Sequence, residues 1–234
     1  MCDRYILVQK AEVIRKRFGI LIPGNIRLIP SYNIAPGKYT PVITADQPQV
    51  LQLFRFGQML LTIAGKKILL SHIRVEELKQ LQSKEPFQYL IHQQRCLIPA
   101  DAYIQGTNAQ GLSKPFLIYL RNKIRPFAFA GLYDTWLDEE TGELIRSFVI
   151  ITSPANELIQ KLPHDRAPVI LHRKQEKAWL DTSTPLTEII TMLQPFPAEF
   201  MNAYPIAPTI KNPLADDPGL IHPAGSRLEP ENRN

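Results

Sequence analysis

Short apolar runs of strand length, separated by turn residues, constrain the fold of this chain more than any other feature. Residues 116–121 (FLIYLR), 127–132 (FAFAGL) and 146–152 (RSFVIIT) are rich in β-branched and aromatic side chains and too short for buried helices. Similar runs at 40–45, 49–56, 59–63, 67–71, 95–99 and 169–171 read as further strands. Turn residues fall between several of them, at Asp46-Gln47-Pro48, at Gly65-Lys66 and at Asp138-Glu139-Glu140-Thr141-Gly142. Helical patterning is confined to 10–19, ended by Gly19, and to 75–83, 154–162, 173–181 and 186–193. Ser153 and Pro154 suit the N-cap and first turn of the third of these. The prolines and glycine of Pro30-Ser31-Tyr32-Asn33-Ile34-Ala35-Pro36-Gly37 predict a loop. Many short strands with few helices predict an α+β fold, with a barrel-like, mostly antiparallel β core and short flanking helices. No Gly/Ser linker or charge block divides the 234 residues, so a single domain over 1–212 is expected. Residues 213–234 read as a tail packed on that domain or partly disordered.

Composition narrows the setting. A hydrophobic fraction of 44% supports an ordinary globular core. No apolar stretch reaches membrane-span length, and the N-terminus lacks a signal-peptide core. The two cysteines, Cys2 and Cys96, form no disulfide framework, and Cys96 sits in the apolar run Cys96-Leu97-Ile98-Pro99-Ala100 as a core thiol. A cytoplasmic protein is therefore expected. The net charge of +5 suits a polyanionic partner and equally a slightly basic surface. Phosphate-loop, GxSxG and HExxH signatures are absent, and the five histidines and two cysteines lack zinc spacing.

Cys2 carries distinctive chemistry. Removal of Met1 leaves a thiol and a free α-amine on adjacent carbons. An α-amine titrates at about 7.7–8.0, so part of it is neutral at pH 7. Such a 1,2-aminothiol attacks an aldehyde through nitrogen and closes through sulfur to a thiazolidine, and it can also act as a cysteine nucleophile.

Several segments together resemble the SRAP family, the SOS response-associated peptidases also described as abasic-site processing proteins. They are Met1-Cys2 with Arg4, Tyr32-Asn33-Ile34-Ala35-Pro36-Gly37, Arg55-Phe56-Gly57 and Arg95-Cys96-Leu97-Ile98-Pro99-Ala100-Asp101. Phe127-Ala128-Phe129-Ala130-Gly131-Leu132-Tyr133-Asp134, Ser147 to Thr152, Ala155-Asn156 and His164-Asp165-Arg166-Ala167-Pro168-Val169-Ile170-Leu171 follow in order. The resemblance implies a β barrel-like core with a positively charged groove. It implies binding to single-stranded DNA containing abasic sites, and a covalent thiazolidine crosslink between Cys2 and the open-chain aldehyde. It also implies autoproteolytic exposure of the cysteine where an extension precedes it.

Carried over by position, the resemblance makes Cys2 the nucleophile and His164 a proton shuttle on the sugar oxygen, a task suited to an imidazole. Two positions depart from the family pattern. Members usually read Pro-Ala-Asp-Gly-Phe-Tyr-Glu-Trp, where this chain has Pro99-Ala100-Asp101-Ala102-Tyr103-Ile104-Gln105-Gly106, so Gln105 stands at the acid/base glutamate. An amide keeps hydrogen bonding but cannot exchange a proton. The Asn-Ala-Arg-x-Glu segment reads His72-Ile73-Arg74-Val75-Glu76, so His72 replaces the asparagine that positions the sugar. His72 could supply the proton transfer that Gln105 lacks, or both changes could mark a chain that binds without reacting. Arg4, Arg74 and Arg95 match phosphate-facing positions and would give salt-dependent affinity without sequence readout. Each also fits a surface or ion-paired arginine. Asn33 and Pro36 fall on a loop that the family places near the N-terminus, and they equally fit a turn held by an Asx contact. Phe56, where the family often has Trp, would stack on a base or wedge a strand end.

The leading expectation is thus an abasic-site sensor needing no metal and no organic cofactor, acting as a monomer on single-stranded DNA. A second reading is a member that only binds damaged DNA. A third is a cysteine peptidase acting on proteins, for which no peptide-binding cleft is visible in the sequence.

Overall fold

The computed structural model describes residues 4–61, 67–81, 87–122, 124–138, 141–162 and 164–231. The elements begin with β1 (Arg4–Leu7), α1 (Ala11–Phe18), β2 (Ser31–Ile34), β3 (Tyr39–Thr44), β4 (Gln47–Phe56), β5 (Gln58–Leu61), β6 (Lys67–Leu70) and β7 (His72–Arg74). They continue with α2 (Val75–Leu81), α3 (Phe87–Gln93), β8 (Arg95–Ala100), β9 (Ala102–Thr107), β10 (Gly111–Leu120), β11 (Phe127–Leu137) and β12 (Leu144–Pro154). Last come α4 (Glu157–Gln160), β13 (Arg166–Pro168), β14 (Ile170–Leu171), α5 (Arg173–Leu180), α6 (Leu186–Met192) and β15 (Met201–Pro205).

Five strands close into a barrel in the order β12-β4-β3-β8-β11, with β11 returning to β12. The closing pair β12–β4 is parallel, while the other barrel pairs are antiparallel. The interior is aromatic. Phe56 stacks on Phe148 at 5.3 Å, and Phe127 meets Phe129 edge-on at 5.1 Å. Gly131 on β11 is a packing requirement, since an added Cβ would lie 2.3 Å from Ile98 Cδ1. A second, five-stranded sheet, β15-β10-β9-β1-β2, leans on the barrel. Its Tyr5 packs edge-on against Phe56 and Phe129, and the Tyr5 hydroxyl donates to Thr40 Oγ1 at 2.9 Å. The α+β, barrel-like architecture expected from the short strands is the one observed.

Local readings differ in places. Residues 31–34, expected in a loop, form β2, because their backbone pairs with β1 (Tyr5 with Ile34) despite the flanking prolines. β9 was not expected, yet Ala102–Thr107 is sandwiched between β1 and β10. The helix expected over 154–162 is shorter. β12 runs through Pro154 to pair with β13, and Asn156, not Ser153, caps α4 by accepting from the Ile159 N–H at 3.0 Å. The expected turn at Gly65-Lys66 lies outside the described residues. Beyond residue 212 the chain folds back on the second sheet. Asp216 accepts from Ser31 Oγ, the Tyr32 N–H and Lys38 Nζ. Glu231 accepts from the Tyr119 hydroxyl.

Candidate active site

The centre of the site is a side-chain pair joined across 59 positions of sequence. Gln105, in the middle of β9, is fully buried, and its Nε2 lies 2.7 Å from His164 Nδ1. The same Nε2 donates to the Arg166 carbonyl at 2.6 Å. The Arg166 N–H donates back to His164 Nδ1 at 3.1 Å. His164 is itself only 6% exposed. Gln105 Oε1 is buried and has no hydrogen-bond partner among the described residues. β9 delivers Gln105 here because Gly106, the next residue, lets β10 approach closely: an added Cβ would sit 2.0 Å from the Gly111 carbonyl oxygen.

Arg166 extends the network. Its Nη1 donates to Glu76 Oε1 at 2.8 Å, and its Nη2 donates to the Thr152 carbonyl at 2.6 Å. The Arg166 hydrogen bond, outweighing the opposing cost of burial, holds the Glu76 carboxyl below its ordinary range. Thr152 on β12 pairs with Arg74 on β7, and Ile150 pairs with His72. The chain thus carries His72 and Arg74 past the Arg166–Thr152 contact and directly into α2, which supplies Glu76. His72 is half-buried with Nδ1 3.3 Å from Ser71 Oγ, and Arg74 is exposed. Sequence reasoning assigned no role to Arg166 or Glu76. Both lie inside quoted motifs, but their pairing across 90 positions left no local signal.

The N-terminal strand runs alongside. Arg4 pairs with Ile104, the neighbour of Gln105. Where β1 ends, buried Asp101 accepts from the Val8 N–H at 2.7 Å and the Gln9 N–H at 3.2 Å. Burial pushes the Asp101 carboxyl up, and these backbone donors oppose the shift. Cys2 lies outside the described residues. Cys96, the other thiol, is fully buried in the core, and burial pushes it far up, which makes it inert.

Comparison with known proteins agrees with this architecture. Residues 1–213 match the family model for SOS response associated peptidase, SRAP. The chain belongs to the SRAP family. Among SRAP relatives, the abasic site processing protein YoqW of Bacillus subtilis is 33% identical over 227 residues, covering 94% of this chain and 99% of that protein. YobE of the same organism, also named an abasic site processing protein, is 32% identical over 91% of this chain and 97% of its own length. A crystal structure of a Bacteroides thetaiotaomicron protein superposes with a TM-score of 0.78 at 27% identity, covering 95% of this chain and all of that one.

Burial also separates the candidate site residues from neighbours that the sequence had grouped with them. Arg95 is fully buried, so its guanidinium has no exposed surface for a phosphate. It donates to the carbonyls of Trp179, Ile91, His92 and Asp181 at 2.5–2.7 Å, tying together the C-terminal ends of α3 and α5. Phe56 is fully buried in the barrel, between Tyr5 and Phe148, so it has no face to offer a base. Asn33 is buried too, and its amide donates to the carbonyls of Ile210, Asn212 and Ala215, anchoring the returning C-terminal segment. Pro36 is half-buried, just beyond β2, in the turn where the Gly37 N–H donates to the Phe56 carbonyl at 2.7 Å. A cavity of about 740 Å³, lined in part by Arg17, Phe18, Leu97 and Leu180, contains none of the expected site residues.

Proposed function

We propose that this protein recognises abasic sites in single-stranded DNA and captures them covalently through Cys2. Its relatives YoqW and YobE carry the name abasic site processing protein. The observation that carries the reading is the pairing of Arg4 with Ile104 beside the Gln105–His164 pair. Two residues span at most about 7 Å of extended chain, and the proposal requires Cys2 to reach that pair within this span.

The chemistry balances without a cofactor. Once Met1 is removed, the α-amine adds to C1′ of the ring-opened sugar and the carbinolamine loses water to give an imine. The thiol adds across the C=N bond, its proton passing to nitrogen and its sulfur to carbon. The net result is a thiazolidine and one water. Arg4 and exposed Arg74 are the described candidates for phosphate contact, which makes the affinity salt-dependent. His72, on the same strand as Arg74, would face the sugar.

The test is a denaturing gel of Met1-processed protein incubated with single-stranded DNA carrying one abasic site. A heat-stable band that Cys2→Ala abolishes is the expected result. Gln105 favours one competing reading, a protein that binds without reacting, because an amide cannot relay a proton. No band, with salt-sensitive binding intact on a native gel, would establish that alternative.

A further inference from the structure

We propose that Gln105 is a tautomer lock. It holds the neutral His164 ring with its proton on Nε2, so that the histidine serves the capture reaction as a hydrogen-bond donor and not as a proton shuttle. The proposal rests on the reading above for the reaction and on described residues alone for the lock.

The Arg166 backbone N–H only donates, and it points at His164 Nδ1 from 3.1 Å. This longer contact favours a lone pair on Nδ1. The Arg166 carbonyl only accepts, and it lies 2.6 Å from the Gln105 amide nitrogen. That orients the amide, since a flipped Gln105 would set Oε1 against the carbonyl oxygen. The second amide hydrogen is then aimed at Nδ1 across 2.7 Å. Two donors converge on one ring nitrogen, and the ring proton belongs on Nε2. Among the described residues, the charged group that works against this is Asp165, whose carboxylate lies 3.6 Å from Nδ1. That gap exceeds a hydrogen bond, and the Asp165 side chain is 66% exposed, so water screens it.

The consequence is chemical. To act as a base at Nε2, the ring must carry its proton on Nδ1. To act as an acid at Nε2, it must be doubly protonated, again with a proton on Nδ1. Either form sets an N–H against two donors. What remains is a neutral donor that polarises an oxygen without releasing the proton, a known role for a neutral imidazole. A glutamate at 105 would face the Arg166 carbonyl with an oxygen and would need a proton of its own there. That proton would lie between the carbonyl and Nδ1. One of the two donors then becomes an acid able to pass its proton to the ring, and only the longer Arg166 N–H contact still opposes it.

Long-range ¹H–¹⁵N spectra of the histidine rings in the free protein test the lock, with His164 assigned by loss of its signals in His164→Gln. The expected spectrum has a protonated Nε2 and an unprotonated Nδ1, with Nδ1 gaining proton character in Gln105→Glu. A proton on Nδ1, or averaged ring nitrogens in the wild type, overturns the lock. Crosslinking rates test the role. His164→Gln, which keeps a donor, should stay within about tenfold of wild type, while His164→Ala should lose about 10²-fold or more. Equal losses in the two variants overturn the donor role. If the wild type forms no crosslink, the reading of the reaction falls, and the ring spectrum still decides the lock.

Discussion

Two arginines in this molecule, Arg95 fully buried and Arg166 half-buried, are built on opposite plans. Arg95 meets four carbonyl oxygens and no carboxylate within hydrogen-bond range. Its charge sits where two helices end, at the negative ends of their dipoles. Arg166 pairs with a carboxylate, Glu76, and with one strand carbonyl, and its Nε has no partner among the described residues. The acceptors near it are likewise left open: Glu76 Oε2 and Gln105 Oε1 are both buried and unmatched among the described residues. Buried polar atoms are ordinarily satisfied, and each exception costs stability. The saturated arginine is a knot that holds α3 and α5 to the barrel. On the function proposed above, the open one would offer its unmatched hydrogen-bonding atoms to a substrate.

The sharpest way to break this contrast is to remove the knot. Arg95→Ala strands four carbonyls in the core and should cost about 3–5 kcal/mol, read as a shift in denaturant midpoint at constant slope. Arg95→Lys should recover only part of this, because an ammonium has three donors on one point and cannot span four carbonyls. Protein that remains folded should crosslink abasic DNA at the wild-type rate. A crosslinking defect in that fraction would mean that Arg95 is coupled to the site after all.

Arg166→Met should show the inverse profile. The side chain is partly accessible and its lost bonds are fewer, so about 1–2 kcal/mol of stability is at stake. The crosslinking rate should fall by about 10–100-fold, since Arg166 fixes the loop that holds His164. If stability falls as far as in Arg95→Ala while the rate holds, the two arginines are of one kind.

pH separates them next. The folded Glu76 carboxyl sits below its unfolded value of about 4.3, so its pairing contributes stability above that pH and loses it as pH falls through the folded value. The difference in thermal midpoint between wild type and Glu76→Gln should shrink on acidification through that window. The four acceptors of Arg95 are carbonyls that do not titrate. The nearby Asp181 carboxylate, held low chiefly by its Ser183 hydrogen bonds, is only a lesser electrostatic partner, so most of the deficit of Arg95→Ala should persist there. Parallel behaviour of the two variants would remove the electrostatic half of the comparison.

The sequence exposed the barrel more readily than the site. Short apolar runs such as FAFAGL and SFVIIT carry strand identity in their own composition, and they form β11 and β12. β2 was hidden because its prolines signal a loop, and only pairing with β1 makes it a strand. Gln105 and His164 are candidates because each sits in a recognisable motif, and the structure brings the two side chains together. Arg95 was misassigned for a physical reason: an arginine is almost never fully buried, and two of the carbonyls that bury this one come from residues 84 and 86 positions away. Phe56 could equally have been a stacking platform or a core ring, and barrel closure by β4 on β12 decides for the core.

The smallest effect concerns the arginine that does face solvent. Arg74 ends β7, is exposed, and follows His72 and Ile73 on the strand paired with β12. If it contacts a phosphate, Arg74→Ala should weaken DNA binding uniformly across sequences and make the slope of log affinity against log salt shallower by about one contact. Fold stability should change by no more than about 0.5 kcal/mol, as for an ordinary surface substitution. Titration of a fluorescent single strand at several salt concentrations measures the slope directly. A slope unchanged from wild type would leave Arg4 as the described phosphate ligand and would move the strand's path toward β1.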